Sequence, residues 1–439
     1  MPPSLPGPEL VHTLRLGLQP LRFGRDARRR VGDVWQVKLF TRDEPFVITS
    51  HPEHVESLFK AKPVDAPSLT GESPLRPILG PNSVLILVGD RHLRERKLLL
   101  PPFHGDAVQR YVEMITRVAE REIESWPIGK SFALAPRMQA VTLDVIMGGI
   151  FGIEGTPANG TPEYRIRETF RRILRLSTYL AWQLVELHNI GRAEPRGIMR
   201  AVLRRADRQL YAAIRARRAA GDSAGRSDVL SLLLEARDEN GQPLSDEHVR
   251  DELMSLVLAG HETTANSLAW TFERLLRAPA AYDRLRELVR ADAAEADEYV
   301  EATVHEGMRV RPVIPMVVRM VKRPWRLGQY VVPADTPVAI SIVALHHRED
   351  VYPEPARFRP ERFLGRKPGT YTWIPFGGGI RRCLGASLAM AEQRVVLTEI
   401  ARRTDMAAPR RSPEGGRQRN VTTIPSRGGR VIVGRRWPA

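Results

Sequence analysis

The fold of this chain is decided by residues 373–385, which read Trp-Ile-Pro-Phe-Gly-Gly-Gly-Ile-Arg-Arg-Cys-Leu-Gly. The stretch holds Cys383, the single cysteine among 439 residues, so no disulfide can form within the chain. Three glycines and a proline precede the thiol, and they permit positive φ angles and a close backbone approach to a flat ligand. An alanine-rich helical pattern follows from about residue 384 to 402. The cysteine therefore precedes a helix N-terminus, which favours its thiolate form.

Two interpretations of Cys383 are open from its type and position alone. A lone cysteine is most often a buried, unreactive core residue. A thiolate in a glycine-rich loop is also a good axial ligand of haem iron, and its electron donation favours cleavage of an O–O bond. In the second case Arg381 is placed to pair with a haem propionate.

The spacing around the thiol favours the second interpretation. The pattern Phe376-x-x-Gly379-x-Arg381-x-Cys383-x-Gly385 resembles the haem-binding signature of the cytochrome P450 family, with every fixed position filled. The resemblance implies that Cys383 is the iron ligand of haem b (iron protoporphyrin IX) and that Phe376 and Arg381 contact that cofactor.

The same resemblance implies a mainly α fold with a smaller β-rich lobe. We expect a single cytochrome P450 domain over residues 1–439. Its β-rich lobe should lie mainly in about 30–60 and 313–345, and its helical lobe mainly in about 90–312 and 384–402.

A second motif interrupts a long helical pattern. The pattern runs from Ser245 to about Leu276, and its middle reads Ala-Gly-His-Glu-Thr-Thr over residues 259–264. A glycine weakens a helix interior and a threonine hydroxyl can bond a carbonyl one turn back, so the ladder could open locally beside a flat cofactor. The alternative is a tolerated glycine and a solvent-facing Glu262.

The stretch also resembles the family's oxygen-binding motif. That resemblance implies that Gly260 lies against the haem, that Thr263 supplies the hydroxyl at the oxygen site, and that Glu262 is the acid of the proton relay. Many relatives have aspartate at the acid position, which leaves the geometry of the relay in question.

Three more basic residues match the family's propionate-binding positions. His92 and Arg96 lie one turn apart on a basic helix, where a solvated helix face is the alternative. Arg319 follows an extended passage after residue 313. The resemblance implies that all three bind the haem.

A further set matches a structural network of the family. Glu306 and Arg309 share a helix face, which alone is typical of a surface ion pair of small energetic value. The resemblance implies that Arg362, from the segment Pro-Glu-Arg-Phe at 360–363, completes a buried network that supports the cysteine loop.

Composition bounds the remaining possibilities. Hydrophobic residues make up 42% of the chain, and no apolar run reaches the roughly 18 residues of a membrane span. Neither a span nor a signal-peptide cleavage pattern is found, and we expect a cytoplasmic protein. The net charge of +16 comes from arginines spread through helical segments without a nucleic-acid motif, so nucleic acid is not expected as a partner.

The sequence thus predicts a monooxygenase that uses dioxygen to hydroxylate or epoxidise an apolar small molecule of lipid, steroid, terpenoid or polyketide type. Two alternatives are a peroxide-driven or isomerising haem-thiolate enzyme and a non-catalytic haem or ligand-binding protein. No flavin or iron–sulfur segment is recognisable, so we expect electrons from an acidic ferredoxin with its reductase, or from a separate flavin reductase. The expected docking patch is Arg91, Arg94, Lys97 and Arg382.

Three further expectations concern less patterned segments. Strands are predicted on either side of a turn at residues 42–45. A hairpin turn is predicted at residues 426–429. Candidate substrate contacts, implied by the place of these segments in the family, are Leu69, Leu75, Ile78, Leu79, Val84 and Leu85, with residues 421–424 as weaker ones.

Overall fold

The computed structural model describes residues 1–439 except 41–43, 70–72, 74, 154, 156, 177–179, 190–191, 222, 224 and 438–439. The predicted turn at 42–45 lies partly outside the described residues. The helices are α1 (Glu9–Leu18), α2 (Pro20–Val31), α3 (Pro52–Lys60), α4 (Arg76–Leu79), α5 (Gly89–Leu99), α6 (Asp106–Glu124), α7 (Leu134–Phe151), α8 (Pro162–Leu176), α9 (Leu180–Asn189), α10 (Gly197–Ala220), α11 (Val229–Glu235), α12 (Asp246–Leu275), α13 (Pro279–Arg290), α14 (Ala296–Val310), α15 (Ile342–His346) and α16 (Ala386–Arg403).

The strands are β1 (Val34–Val37), β2 (Phe46–Thr49), β3 (Ser131–Ala133), β4 (Met316–Val321), β5 (Trp325–Leu327), β6 (Tyr330–Val332), β7 (Thr336–Ser341), β8 (Thr404–Ala407), β9 (Gly416–Arg419), β10 (Thr422–Pro425) and β11 (Arg430–Arg436). A four-stranded sheet has the order β1-β2-β7-β4, in which only the β2–β7 pair is parallel. The mainly α fold with a smaller β part is confirmed, because helices hold most of the described residues and the sheets among them have only two to four strands.

Helix α12 organises the helical lobe. The Ser245 hydroxyl caps it by accepting the His248 backbone N–H at 3.1 Å, and Asp246 and Glu247 in the first turn match the helix dipole. Nearly every residue from Val249 to Leu275 is buried or half-buried, which places the helix in the centre of the main core. No helix in the described part of the chain is long and apolar enough to cross a membrane.

The predicted hairpin at residues 426–429 is wrong. The hairpin of the C-terminal region joins β9 to β10 through Asn420, whose φ is 50°, whereas β11 pairs with β3 and β8. Gly428 and Gly429 have positive φ, and their carbonyls accept the backbone N–H groups of residues 135 and 134. The glycines therefore redirect the chain from one sheet to another.

Helices α1 and α2 were not anticipated from the sequence, which shows residues 10–23 only as an interrupted apolar run. In α2, Leu21, Phe23 and Ala27 are buried, while a run of arginines occupies its last turn. These three residues form a short apolar stripe with the period of a helix, which the surrounding arginines make hard to recognise in the sequence.

Candidate active site

The cysteine loop is held by its own backbone and by α3. The Cys383 N–H donates to the Phe376 carbonyl at 2.9 Å, and Gly377 and Gly379 have φ angles of 66° and 62°. A Cβ at Gly379 would lie 2.2 Å from the backbone oxygen of Phe59. Positive φ was predicted, but the close contact that excludes a side chain at this glycine is made with α3.

Cys383 opens onto an internal cavity of about 400 Å³ between the loop and α12. Burial raises the pKa of its thiol, against a hydrogen bond from the Gly385 N–H and the charges of Arg382 and Arg96. The helix N-terminus alone therefore does not secure a thiolate. A thiolate at this position needs a further positive charge, which a bound metal ion supplies.

Four predicted cofactor-binding residues converge at one side of this cavity. His92, Arg96 and Arg381 line it, and Arg319 lowers the pKa of His92 from close by. Burial, followed by the charges of Arg381, Arg96 and Arg319, lowers the pKa of His92 to about 4. Burial also lowers the pKa of Arg319 and of Arg381 to about 10 each.

This cationic cluster (His92, Arg96, Arg319, Arg381) has no ion-pair partner among the described residues. Arg319 donates to the Ser68 hydroxyl at 3.3 Å, and Arg381 donates to the carbonyls of Val84, at 3.1 Å, and Leu87. The Nδ1 atom of His92 is buried, with no hydrogen-bond partner in the described part of the chain. Cations gathered without an acid fit an anionic ligand, and the two propionates of haem meet that requirement.

The opposite wall of the cavity is the middle of α12. Gly260 and Thr263 line it, and the Thr263 hydroxyl donates to the Ala259 carbonyl at 2.7 Å. Helix α12 is continuous here, so the predicted local opening of its ladder is not seen. A Cβ at Gly260 would lie 2.5 Å from the Ile146 side chain, so this glycine also allows α7 to pack closely.

Glu262 faces away from the cavity lining. Its Oε1 accepts from the Arg419 guanidinium, at 2.9 Å from Nε and 2.6 Å from Nη2, and from the Thr422 hydroxyl at 2.9 Å. Both partners belong to the β9–β10 hairpin. Glu186 lies near the pair: burial raises its pKa, and Glu262 adds to that rise. Glu262 therefore does not face solvent, as the alternative interpretation predicted, and it does not contact the cavity directly.

The predicted structural network is fully buried at its centre. The Arg309 guanidinium donates to both oxygens of Glu306, at 2.7 and 2.8 Å, and both side chains have 0% exposure. Arg362 donates to Glu306 at 3.4 Å. The surface-pair alternative is therefore wrong for this chain.

His346 extends this network to the cysteine loop and was missed in the sequence. Arg309 donates to the His346 carbonyl at 2.7 Å, and the His346 Nε2 accepts the Ile374 N–H at 2.9 Å. Burial lowers the pKa of His346 to about 3, so the ring is neutral and its Nδ1–H donates to the Arg309 carbonyl at 3.2 Å. The only sequence signal was the histidine pair His346–His347.

Glu392 is a second residue that sequence reasoning missed. It lines the cavity from α16, is 2% exposed, and has an Oε1 atom without a hydrogen-bond partner among the described residues. Burial raises the pKa of Glu392 to about 8, so the side chain is a carboxylic acid at neutral pH. An acid inside an apolar helical pattern was its available signal.

The expected substrate contacts are only partly found at the cavity. Val84 and Leu85 line it, together with apolar residues that include Leu256, Ile314 and Val317. Residues 421–424 do not line it. The other four predicted contacts do not line it either; they are Leu69, Leu75, Ile78 and Leu79. Of these, Leu79 is fully buried in the core.

The expected basic docking patch is also only partly assembled. Arg382 borders a groove of about 800 Å³ on the outer side of the cysteine loop, with Lys60, Lys367 and Arg394. Arg94 instead forms an ion pair with Glu239 at 2.9 Å. Arg91, Arg94 and Lys97 are not part of the groove lining.

Comparisons with known proteins cover nearly the whole chain. The sequence model of the family described as Cytochrome P450 matches residues 1–431. Cytochrome P450 135B1 of Mycobacterium tuberculosis is 36% identical over 436 residues, which cover 98% of this chain and 91% of that protein. Cytochrome P450 137 of the same organism is 37% identical over 448 residues, with coverages of 98% and 90%.

Two solved structures have a similar fold. The retinoic acid-bound cyanobacterial CYP120A1 superposes with a TM-score of 0.78 at 23% identity and covers 99% of both chains. The haem domain of cytochrome P450DA has a TM-score of 0.81 at 24% identity, covering 99% of this chain and 98% of that one.

Proposed function

Because the chain belongs to the cytochrome P450 family of haem-thiolate monooxygenases, we propose that it hydroxylates or epoxidises an apolar small molecule with electrons from a separate donor protein. The carrying observation is that Cys383, Thr263 and the cationic cluster meet at one cavity with otherwise largely apolar walls. Haem bound through a cysteine thiolate supplies the reductive activation of dioxygen, with one oxygen atom going to substrate and one to water.

The residues divide the remaining tasks. Cys383 would bind the haem iron, and the cationic cluster would neutralise the propionates and orient the ring. Phe376 and Gly260 border the cofactor space from its two sides. The Thr263 hydroxyl is available to orient a proton donor at the oxygen site, since its bond to the Ala259 carbonyl uses its hydrogen and leaves its lone pairs free.

Glu262 delivers protons from outside the cavity in this proposal. Its carboxylate is held by Arg419 and Thr422 on the hairpin side, so proton delivery requires it to exchange these partners for the Thr263 side. The hairpin would then set how often the relay operates.

The axial ligand is tested by Cys383→Ser. The reduced carbon monoxide complex of the parent should show the red-shifted Soret band of thiolate ligation, and the variant should not. A variant that keeps this band would remove Cys383 from the site.

The oxygen site is tested by Thr263→Ala, with Thr264→Ala as the neighbouring control. We expect Thr263→Ala to retain haem but to divert electrons from product to peroxide or water, because the ordering hydroxyl is lost. Glu262→Gln should slow turnover more than it weakens substrate binding. Parent-like coupling of NADH oxidation to product in both variants would reject these two roles.

The reaction class is tested by the source of oxidant. A reconstituted reductase system with NADH should give steady product formation from a substrate found by Soret shifts in an apolar compound library. Product formed only with hydrogen peroxide would instead support the peroxide-driven alternative.

For the electron donor, the groove beside Cys383 offers the supporting surface. Arg382 and Lys367 border it and have no ion-pair partner among the described residues, whereas Lys60 pairs with Glu56 and Arg394 with Glu301. A basic groove close to the iron ligand suits an acidic ferredoxin, whose approach such charges accelerate.

A further inference from the structure

Three ligand-type side chains meet at a point that the haem chemistry does not use. Glu95 lies on α5, and His248 and Glu252 lie one turn apart on α12. One carboxylate oxygen of each glutamate and one ring nitrogen of His248 all lie within 4.8 Å of one another. Glu95 Oε2, His248 Nε2 and Glu252 Oε2 are buried and, among the described residues, have no hydrogen-bond partner, although His248 Nε2 is 3.0 Å from Glu95 Oε2.

Glu252 is the residue that makes this cluster unusual. It has 0% exposure, and its Oε1 accepts the Val84 backbone N–H at 2.8 Å, while its Oε2 is buried with no hydrogen-bond partner among the described residues. Burial raises the pKa of Glu252 well above its usual range, and the charges of Glu95 and Asp251 add to the rise. A buried carboxylate beside a second carboxylate must take up a proton or a cation.

The neighbouring cations are already committed elsewhere. Arg250 pairs with Asp207 and Asp251, and Arg94 pairs with Glu239. Two carboxylates and one imidazole therefore remain, and a divalent ion among them would balance the charge of the two ionised carboxylates.

We propose that Glu95, His248 and Glu252 bind a divalent transition-metal ion, with zinc favoured by the ligand set. Imidazole nitrogen with carboxylate oxygen suits zinc, whereas magnesium and calcium prefer oxygen ligands alone. In a tetrahedral zinc site, ligand atoms about 2.1 Å from the ion lie about 3.4 Å apart, so a pair of ligand atoms at the 4.8 Å limit must move closer by about 1.4 Å when the ion binds. Three protein ligands leave a fourth position for water.

The site would join elements that also border the cofactor. Glu95 precedes Arg96 on α5, and the second oxygen of Glu252 holds the Val84 N–H, while the Val84 carbonyl accepts from Arg381. An ion between α5 and α12 would therefore fix the spacing of the helix that carries His92 and Arg96 relative to the helix that carries Thr263.

The test uses the tag-free, full-length holoprotein, dialysed against a chelator and then titrated with zinc chloride. We expect saturable uptake of one zinc per chain by calorimetry and elemental analysis, with a rise of several degrees in Tm. Glu252→Gln removes one ligand charge and retains the acceptor for Val84, and it should abolish both effects. Glu247→Gln, an exposed acid on the same helix, is the matched control and should retain them.

Two outcomes would overturn the proposal. One is zinc uptake by Glu252→Gln equal to that of the parent. The other is no stoichiometric uptake by the parent together with a higher Tm for metal-free Glu252→Gln, which would show that the glutamates share a proton.

A second measurement covers the case in which Glu252→Gln fails to fold. Zinc-edge X-ray absorption of the loaded parent should show only nitrogen and oxygen ligands near 2.0 to 2.2 Å. A sulfur ligand near 2.3 Å would assign the ion to Cys383 and reject the site.

Discussion

Two buried groups of charged side chains lie close to the cysteine loop, and they differ in charge balance. In the network of Glu306, Arg309 and Arg362, the carboxylate oxygens of Glu306 are occupied by guanidinium and backbone donors. The cationic cluster has no carboxylate of the described residues within ion-pair distance. Burial is common to both, so charge balance is what separates a closed structural network from a site that requires a ligand.

The largest expected effect comes from unbalancing the balanced network. Glu306→Gln leaves the Arg309 guanidinium buried without a counter-charge, and we expect a loss of about 3 to 5 kcal/mol in the free energy of unfolding. Urea denaturation of the holoprotein measures it. Arg357→Gln is the control, because its exposed pair with Glu354 at 3.6 Å should contribute at most about 1 kcal/mol. Equal losses in the two variants would contradict the comparison.

The next effect concerns the acid stability of the cationic cluster. The pKa of His92 is about 4 in the folded chain, below its ordinary value of 6.5. As the pH falls, His92 therefore binds a proton in the unfolded chain before it does so in the folded chain. The free energy of unfolding decreases for this reason between about pH 6.5 and pH 4. At pH 4.5 the apoprotein of His92→Gln should therefore have lost about 2 to 3 kcal/mol less of its free energy of unfolding than the parent apoprotein.

This difference must be taken between parallel pH series. His261 and His346 also have a pKa lowered to about 3, so they contribute equally to the parent and the variant. Superimposable stability curves would show that acidification does not act through His92.

The third prediction concerns Arg319, whose substitution should weaken haem binding without destabilising the apoprotein. Arg319→Gln removes one of the three unbalanced guanidinium charges of the cluster, in which His92 is neutral at pH 7, so the apoprotein should lose no stability. Haem affinity should fall about ten- to hundred-fold, as expected for a charged hydrogen bond of about 1.5 to 3 kcal/mol. Competition with apomyoglobin for haem measures the affinity, and Arg323→Gln, on an exposed arginine nearby, is the control. A destabilised apoprotein would place Arg319 with the structural network.

The smallest effect concerns the surface outside the cysteine loop. The double substitution Lys367→Glu and Arg382→Glu should slow first-electron transfer from an acidic ferredoxin several-fold at low salt. The rates of the variant and the parent should approach each other as added salt screens the charges. Arg94→Glu is the matched control, because that arginine pairs with Glu239 outside the groove. A larger slowing in the control would return the docking site to α5.

Features set by neighbouring residues were predictable from the sequence. The start of α12 follows from the Ser245 cap and the acids after it, and the course of the cysteine loop follows from its glycines. Both depend on interactions within a few positions, so one sequence suffices to specify them.

Features that depend on distant partners were not predictable. Glu262 is turned by Arg419, 157 residues later, and His346 matters because it accepts the N–H of Ile374. The turn at residues 426–429 has hairpin chemistry, yet strand pairing elsewhere directs β11 to β3 and β8. In each case a tertiary contact overrides a local pattern.

Because the chain has a single thiol, labelling of Cys383 can report how many molecules have bound haem. In the apoprotein Cys383 opens onto the cavity, and it is the one site at which a maleimide or iodoacetamide can react with a cysteine. Iron ligation blocks that reaction, and the raised pKa of the free thiol makes it slow at neutral pH and faster in alkali. The mass shift of one label per chain therefore counts unloaded molecules directly, whether in a purified sample or in a cell extract.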